Sequence, residues 1–483
     1  MNFAFDSSTR RELGYRLIDR IDQYFSSLSD RSVQLPSEMR TFSALTDTMP
    51  EFGEDAARVL EEVTGELVNK GFHVPAANYF GLMNPTPAYM AVLAEALVAA
   101  LNPQLATLAR SQLASKIENE TLRWIGERVG WSHNFGGTFT SGGNEANFTA
   151  LALALAYAFP EYVHDGVLAI GAQPVFYCSS EAHHSLDKSA GLLGIGRRSV
   201  RRIRVNDRIQ LDPERLVEQI EDDVADGLRP FCIVATAGTT NSGAIDDIPA
   251  LAAIARRFGL WLHLDGAYGA AAIFSEQHRD LVRGIEQTDS VTIDPHKWLA
   301  MPFAAGVVLT SHPEMLEQTF AVNTPYMPRI NDPAQTDNFK LSTQWSRRMN
   351  SLKLYLTLRV HGREAYDTLI TEQMALAAEV AEMIRGSQHF ELAAPQTLPI
   401  FNLRLKTPDR LGTSELERLH SEIVHHVTSS GQRWISITRV NGESVIRFMI
   451  ISYLTTREHC IELLRALETA AERCSPRLAT ARG

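Results

Sequence analysis

From residue 174 to 310 the chain alternates short β-rich runs with helical segments, and this alternation constrains its fold more than any other feature. The runs are PVFYC (174–178), SVRRIRV (199–205), FCIVAT (231–236), LWLHLD (260–265), SVTID (290–294) and AAGVVLT (304–310). Segments of helical period, such as 212–225 and 248–259, lie between them. Apolar strands separated by helices predict a largely parallel sheet covered on both faces, which is the α/β class. A second α+β pattern follows: LPIFNLRLK (398–406), a helix at 413–429, the runs RWISITRV and GESVIRFMIISY, and a closing helix. The expected division is an N-terminal helical segment at 1–84, a large α/β domain at 85–350 and a small C-terminal α+β domain at 351–483.

Of the 483 residues, 45% are hydrophobic, enough for a large core. The formal net charge of −11 argues against a nucleic-acid partner. The basic cluster RRSVRRIR (197–204) reads as an exposed loop and strand edge. Four cysteines without a CxxC pair predict neither a disulfide framework nor a zinc site, and fit a reducing cytoplasm. The opening MNFAFDSSTRRELGYR lacks the basic-then-apolar layout of a signal peptide. The most apolar stretches, 88–102 and 148–159, are too short to cross a bilayer, so no membrane role is expected.

Ligands of open parallel sheets bind beyond the carboxyl ends of the strands, which directs attention to what stands there. Thr140-Ser141-Gly142-Gly143 opens a helix, where paired glycines and free N–H groups favour an anion such as phosphate. Taken alone, such a start is more often only a turn. His183 and His184 begin the helix after PVFYC, where a lone histidine is usually a surface or capping group. LWLHLD ends in Asp265, a carboxylate that needs a metal, a cation or a protonated ring nitrogen as partner. His263, on the same face by strand alternation, and Asp246 and Asp247 show no metal-ligand spacing, so no metal is expected. Asp-Pro-His-Lys-Trp (294–298) follows SVTID, and its Lys297 either snorkels to solvent beside Trp298 or serves as an amine nucleophile. In sequence order, phosphate loop, histidine, aspartate and lysine are what a pyridoxal-phosphate site requires.

The motifs TSGGNEAN, SSEAHHSLDKSAG, VATAGTTNSGAID, WLHLDGAYG, DSVTIDPHKW and RRMNSLKLYLTLRVHG together resemble the group II pyridoxal-phosphate-dependent amino-acid decarboxylases, in particular the aromatic-amino-acid branch. The resemblance runs from about residue 72 to 361 and continues more weakly to the C-terminus. It implies PLP fold type I, like aspartate aminotransferase, with a mostly parallel seven-stranded sheet in the large domain. It also implies a homodimer whose active site lies at the subunit interface, with the N-terminal segment packed on the partner.

By the resemblance, Lys297 carries the cofactor aldehyde as an imine, Asp265 partners the pyridine nitrogen and His183 stacks on the ring. Ser141, Gly142 and Gly143 hold the phosphate, Ala267 faces the other side of the ring, Thr236 lies beside its substituents, and His296 is near the phosphate or the substrate carboxylate. Tyr326, in the 323–338 loop, corresponds to the family's proton donor to the α-carbon; relatives with phenylalanine there form aldehydes instead. Pro85, Thr86, Gln104 and Ala106 correspond to the substrate pocket, and Arg110 is a candidate for greeting an acidic side chain. Asp294 stands where many relatives carry asparagine and is expected to accept from backbone or a neighbouring side chain. Arg447 reads equally as an anchor for a substrate α-carboxylate or as half of a structural ion pair. The expected reaction is α-decarboxylation of an aromatic L-amino acid. The alternatives are an acidic or aliphatic substrate, an aldehyde-forming variant, or a non-catalytic cofactor-binding protein.

Overall fold

The computed structural model describes residues 3–36, 44–46, 48–324, 336–407 and 411–480, with side chains as far as 474. Seven strands form the large sheet: β1 (Gly136–Thr140), β2 (Pro174–Ser179), β3 (Val200–Ile203), β4 (Arg229–Thr236), β5 (Trp261–Asp265), β6 (Ser290–Ile293) and β7 (Gly306–Thr310). Their order is β1-β7-β6-β5-β4-β2-β3. The pairs from β3 through β6 are parallel, while β7 runs antiparallel to both β6 and β1. β1 therefore points the same way as the parallel strands. The exits of β1, β2, β4, β5 and β6 consequently gather at one edge of the sheet.

Alternation along each strand feeds two cores. β4 sends Ile233 and Ala235 to the face packed by the helices Pro213–Ala225 and Ile248–Phe258, through Leu216, Ile220, Leu251 and Ala252. Cys232 and Val234 point to the opposite face, against Leu151–Leu155 of the helix Gly143–Ala158. Burial on both faces explains why these strands read as continuous apolar runs. The basic cluster occupies the sheet edge at β3, where Arg201 pairs with Asp223 at 3.0 Å and Arg202 with Asp187 at 2.7 Å.

A smaller antiparallel sheet follows, of β8 (Phe390–Leu392), β9 (Ile400–Leu405), β10 (Ser436–Val440) and β11 (Glu443–Met449), in the order β10-β11-β9-β8. The helices Thr413–Thr428 and Arg457–Thr480 pack on it. The helix Ser351–Arg385 joins the two regions: Leu354, Tyr366 and Ile370 enter the large core, and Ala377, Val380 and Ile384 the small one. Its Gly362 breaks the helical dihedrals at φ 72°, a left-handed value that glycine adopts without penalty. The N-terminal helices Ser7–Ser27 and Ala56–Lys70 bury no residue in the single chain, and Phe5, Tyr15, Phe52 and Leu67 around them are exposed. No helix among the described residues is long and apolar enough to cross a membrane.

Candidate active site

The strand exits enclose a cavity of about 230 Å³ whose walls include Gly143, His183, Thr236, Asp265, Ala267, Asp294 and Lys297. They arrive from five different strand exits. Gly143 begins the helix after β1, His183 stands in the turn after β2, Thr236 ends β4 and Asp265 ends β5. Lys297 lies in the turn between β6 and β7. Asn147, Asn144, Gly238, Thr240, Tyr268 and Met83 complete the lining.

The turn that carries Lys297 is held from behind. Trp298 is 1% exposed, and its Nε1 donates to Gln373 Oε1 of the long helix at 2.6 Å. Lys353 of the same helix is fully buried, and its Nζ donates to the carbonyls of Ala304 (2.6 Å) and Pro302 (3.2 Å). Within the turn, the Lys297 N–H donates to the Asp294 carbonyl at 2.9 Å. The lysine side chain is 24% exposed, and its Nζ lies 3.0 Å from Asp294 Oδ2. The lysine thus lines the cavity with its polar head against Asp294.

Asp294 is 2% exposed and forms an ion pair with the neighbouring lysine side chain. His296 Nε2 stands 3.6 Å from the same oxygen, and its Nδ1 accepts the Ala305 N–H at 3.0 Å. Burial lowers the pKa of His296 and favours its neutral form. His183 is open to solvent at the cavity mouth, yet desolvation by the surrounding walls lowers its pKa too. Its Nδ1 accepts the Ser185 N–H at 3.1 Å, which leaves the ring proton on Nε2.

Asp265 is 6% exposed; its Oδ2 accepts from Asn147 Nδ2 at 2.8 Å and its Oδ1 from the Ala267 N–H at 3.3 Å. The neighbouring acidic groups are occupied by backbone. Asp246 accepts the N–H groups of Leu211 and Thr236, each at 2.7 Å, and Asp247 caps the helix Ile248–Phe258 through the Ala250 N–H. Among the described residues no three His, Cys, Asp or Glu side chains group as a metal site would.

Gly142 and Gly143 form a tight cradle. A Cβ at Gly142 would come 3.0 Å from His296 Cε1, and one at Gly143 would come 2.8 Å from Asp294 Oδ2. Thr236 Oγ1 and Asp294 Oδ1 are buried with no hydrogen-bond partner among the described residues. An amine, a carboxylate at a strand end, a flat ring at the mouth, a glycine cradle and the orphaned Thr236 hydroxyl fit a phosphorylated pyridine aldehyde. Pyridoxal phosphate, expected from the motif order, thus finds matching groups here.

Several predicted residues lie outside the cavity lining of the single chain. Ser141 is exposed, and its N–H donates to Glu145 Oε2 at 2.7 Å. Thr86 is fully buried; its hydroxyl donates to the Pro75 carbonyl at 2.6 Å and meets Ser452 Oγ at 2.6 Å. Pro85 is buried beside it, and Ala106 is 1% exposed, its N–H donating to Gln104 Oε1 at 2.8 Å. Tyr326 and most of its loop lie outside the described residues. Arg447 is 3% exposed and forms no ion pair among the described residues; its Nη2 approaches Met449 Sδ at 3.8 Å and its Nε has no partner. Burial pulls its pKa down to about 10, against the opposing influence of Tyr79 and Tyr268. Asn147 was missed from sequence, although an asparagine within the apolar run of its helix, 1% exposed, is a signal in itself.

A family profile described as "Pyridoxal-dependent decarboxylase conserved domain" matches residues 36–406. An aromatic-L-amino-acid decarboxylase of Bacillus atrophaeus is 29% identical over 478 residues, covering 98% of each chain. An L-2,4-diaminobutyrate decarboxylase of Acinetobacter baumannii is 26% identical, covering 91% of this chain and 88% of its own. The solved structure of Oryza sativa TDC with PLP and tryptamine has a TM-score of 0.91 to this chain, with 23% identity, and covers 98% of this chain and 99% of that one. That last likeness shows the shared fold. With the profile spanning well over half of its length, the chain belongs to the pyridoxal-dependent decarboxylases, enzymes that remove carboxyl groups from amino acids.

Proposed function

We propose that this enzyme decarboxylates an aromatic L-amino acid, releasing the arylalkylamine and carbon dioxide. The observation that carries the chemical part is the meeting of Lys297, Asp265 and His183 around one cavity beside the Gly142–Gly143 cradle. The aromatic preference is supported by the Bacillus atrophaeus relative, which matches over nearly the whole of both chains.

Pyridoxal phosphate, when bound, supplies an electron sink for the pair left by the broken bond between the α-carbon and its carboxylate. Lys297 supplies the amine that holds the aldehyde. Asp265 would partner the ring nitrogen, and His183 and Ala267 of the cavity wall would border the ring. The Gly142–Gly143 backbone and His296 would hold the phosphate. Asp294 serves the lysine and not the phosphate: its carboxylate lies 3.0 Å from the ammonium, and a second anion beside it is repelled. Tyr326 would serve as the proton donor to the α-carbon. A second subunit covers the N-terminal helices, whose apolar side chains are unburied in one chain, and brings the segment around Gln104 and Ala106 to the substrate pocket.

Arg447 favours a second reading. A buried guanidinium without an acidic partner, electrostatically linked to Tyr268 of the cavity wall, suits a substrate with a second carboxylate. Carbon dioxide release from tryptophan, tyrosine, phenylalanine and DOPA, set beside aspartate and glutamate, separates the two. Turnover confined to the aromatic set is the expected result. Equal or faster turnover of aspartate or glutamate would overturn it.

A further inference from the structure

The carboxylate of Asp265 is held by a chain of side chains that runs through the protein interior. Asn147 Nδ2 donates to Asp265 Oδ2 (2.8 Å) and to Ser185 Oγ (3.0 Å), so a single amide ties Asp265 to the turn that carries His183. Asn147 Oδ1 lies 3.1 Å from His263 Nε2. His263 is fully buried, with its Nδ1 2.9 Å from Ser290 Oγ. Ser290 Oγ in turn accepts from Trp261 Nε1 at 2.8 Å.

The donor and acceptor capacities of Asp265 and Asn147 favour one direction along this chain. An ionised Asp265 only accepts, so Asn147 must present its NH₂ there and its carbonyl to His263. His263 then carries its proton on Nε2. Burial lowers its pKa to about 4, so it is neutral, and with Nε2 protonated toward Asn147 its Nδ1, which lies 2.9 Å from Ser290 Oγ and 3.2 Å from the Ser290 carbonyl, is left as the acceptor. The Ser290 hydroxyl donates to Nδ1 while receiving the indole N–H of Trp261. Every hydrogen bond from Trp261 to Asp265 thus points toward the carboxylate. The opposite tautomer would set the Nε2 lone pair against Asn147 Oδ1. A flipped amide would set Oδ1 against the carboxylate.

We propose that Asn147 and His263 are positioning residues that fix the orientation of the Asp265 carboxylate, so that it meets the ring nitrogen of the cofactor and the shared proton remains there. This rests on the reading of Asp265 as the partner of that nitrogen. Donors aimed at a carboxylate stabilise its charged form, and those in a buried site are the strongest. Asn147→Leu removes the donor to Asp265 and strands the His263 N–H. His263→Leu frees the Asn147 carbonyl and lets the amide turn. His263→Gln keeps an N–H for Asn147 and should preserve the effect.

The test uses the holoenzyme reconstituted with pyridoxal phosphate labelled with ¹⁵N in the ring, read by the nitrogen chemical shift and by equilibrium binding of cofactor to apoenzyme. A wild-type shift of unprotonated pyridine would refute the underlying role of Asp265, separately from this proposal. Given a protonated wild type, Asn147→Leu and His263→Leu should move the shift toward unprotonated pyridine and weaken cofactor binding by about tenfold or more. His263→Gln should stay near wild type. Ser290→Ala deletes a single oxygen atom and should give a smaller change of the same sign if the leucine variants do not fold. Wild-type shifts in every folded variant would overturn the proposal, as would His263→Gln behaving like His263→Leu.

Discussion

Replacing Gly143 with alanine tests the cradle directly. The residue does not have a positive φ, so its backbone accepts alanine, and a helix start would ordinarily gain slightly from the change. Its surroundings decide otherwise. The new methyl would lie 2.8 Å from Asp294 Oδ2 and 3.3 Å from the Ala267 methyl. Asp294 has little room to retreat: it is 2% exposed and its Oδ2 is 3.0 Å from Lys297 Nζ. Either the carboxylate leaves the lysine and turns into the cavity, or the glycine loop moves off the strand end. Overpacking of this kind costs about 1–3 kcal/mol. Because both escapes spoil the cofactor's space, the cost should appear as about 5- to 150-fold weaker binding of pyridoxal phosphate. Titration of cofactor into apoenzyme, followed by the visible absorbance of the lysine-bound form, measures it. The thermal midpoint of apoenzyme reports any global loss. Adding Asp294→Ala removes the oxygen that the methyl meets, so the two substitutions should be less than additive. Wild-type affinity of the Gly143→Ala variant, or strict additivity with Asp294→Ala, would refute the reasoning.

Lys297→Ala should abolish the visible absorbance of holoenzyme while leaving the thermal midpoint of apoenzyme within a few degrees; a retained band would move the amine to another residue. Glu118 and Arg347 form a buried pair at 2.6 Å, 2% and 1% exposed, that ties the helix Leu108–Val129 to Thr138 of β1. Glu118→Leu alone should cost about 3–5 kcal/mol in urea unfolding, and joining it to Arg347→Met should recover most of that loss; a double variant no more stable than the single one would contradict this. His420 is fully buried, its Nε2 accepting the Leu405 N–H at 3.2 Å, and burial lowers its pKa from 6.5 to about 4. The unfolded chain therefore takes up the proton first as pH falls. Its contribution of about 3 kcal/mol, complete above pH 6.5, is lost between there and pH 4. His420→Gln keeps an acceptor and cannot ionise, so stability measured across that window should fall less steeply; an unchanged slope would count against it.

Much of the fold was legible because local chemistry repeats along the chain. The six β-rich runs between 174 and 310 correspond to β2 through β7, each shifted by no more than two residues at either end. Strand β1 was not among them: GGTFT is short and glycine-rich, and it is a strand because β7 pairs with it, not through its own propensity. β8 was missed for a similar reason, with three residues whose partner is β9. At the site, Asp294 presented a puzzle in sequence because its partner was unknown, and the structure supplies Lys297 at 3.0 Å. Arg447 left two readings open, and no ion pair among the described residues supports the structural one.

The sequence by itself determined most of the elements, the paired glycines and the lysine after His296, since each depends on neighbours within a few residues. It also carried the motif order that points to the cofactor. Only the tertiary structure decided that Asn147 faces Asp265 and His263, residues more than a hundred positions away. The physical reason is the sheet order. Strands distant along the chain end at one edge, and which side chains meet there depends on pairing and register, which no local pattern records.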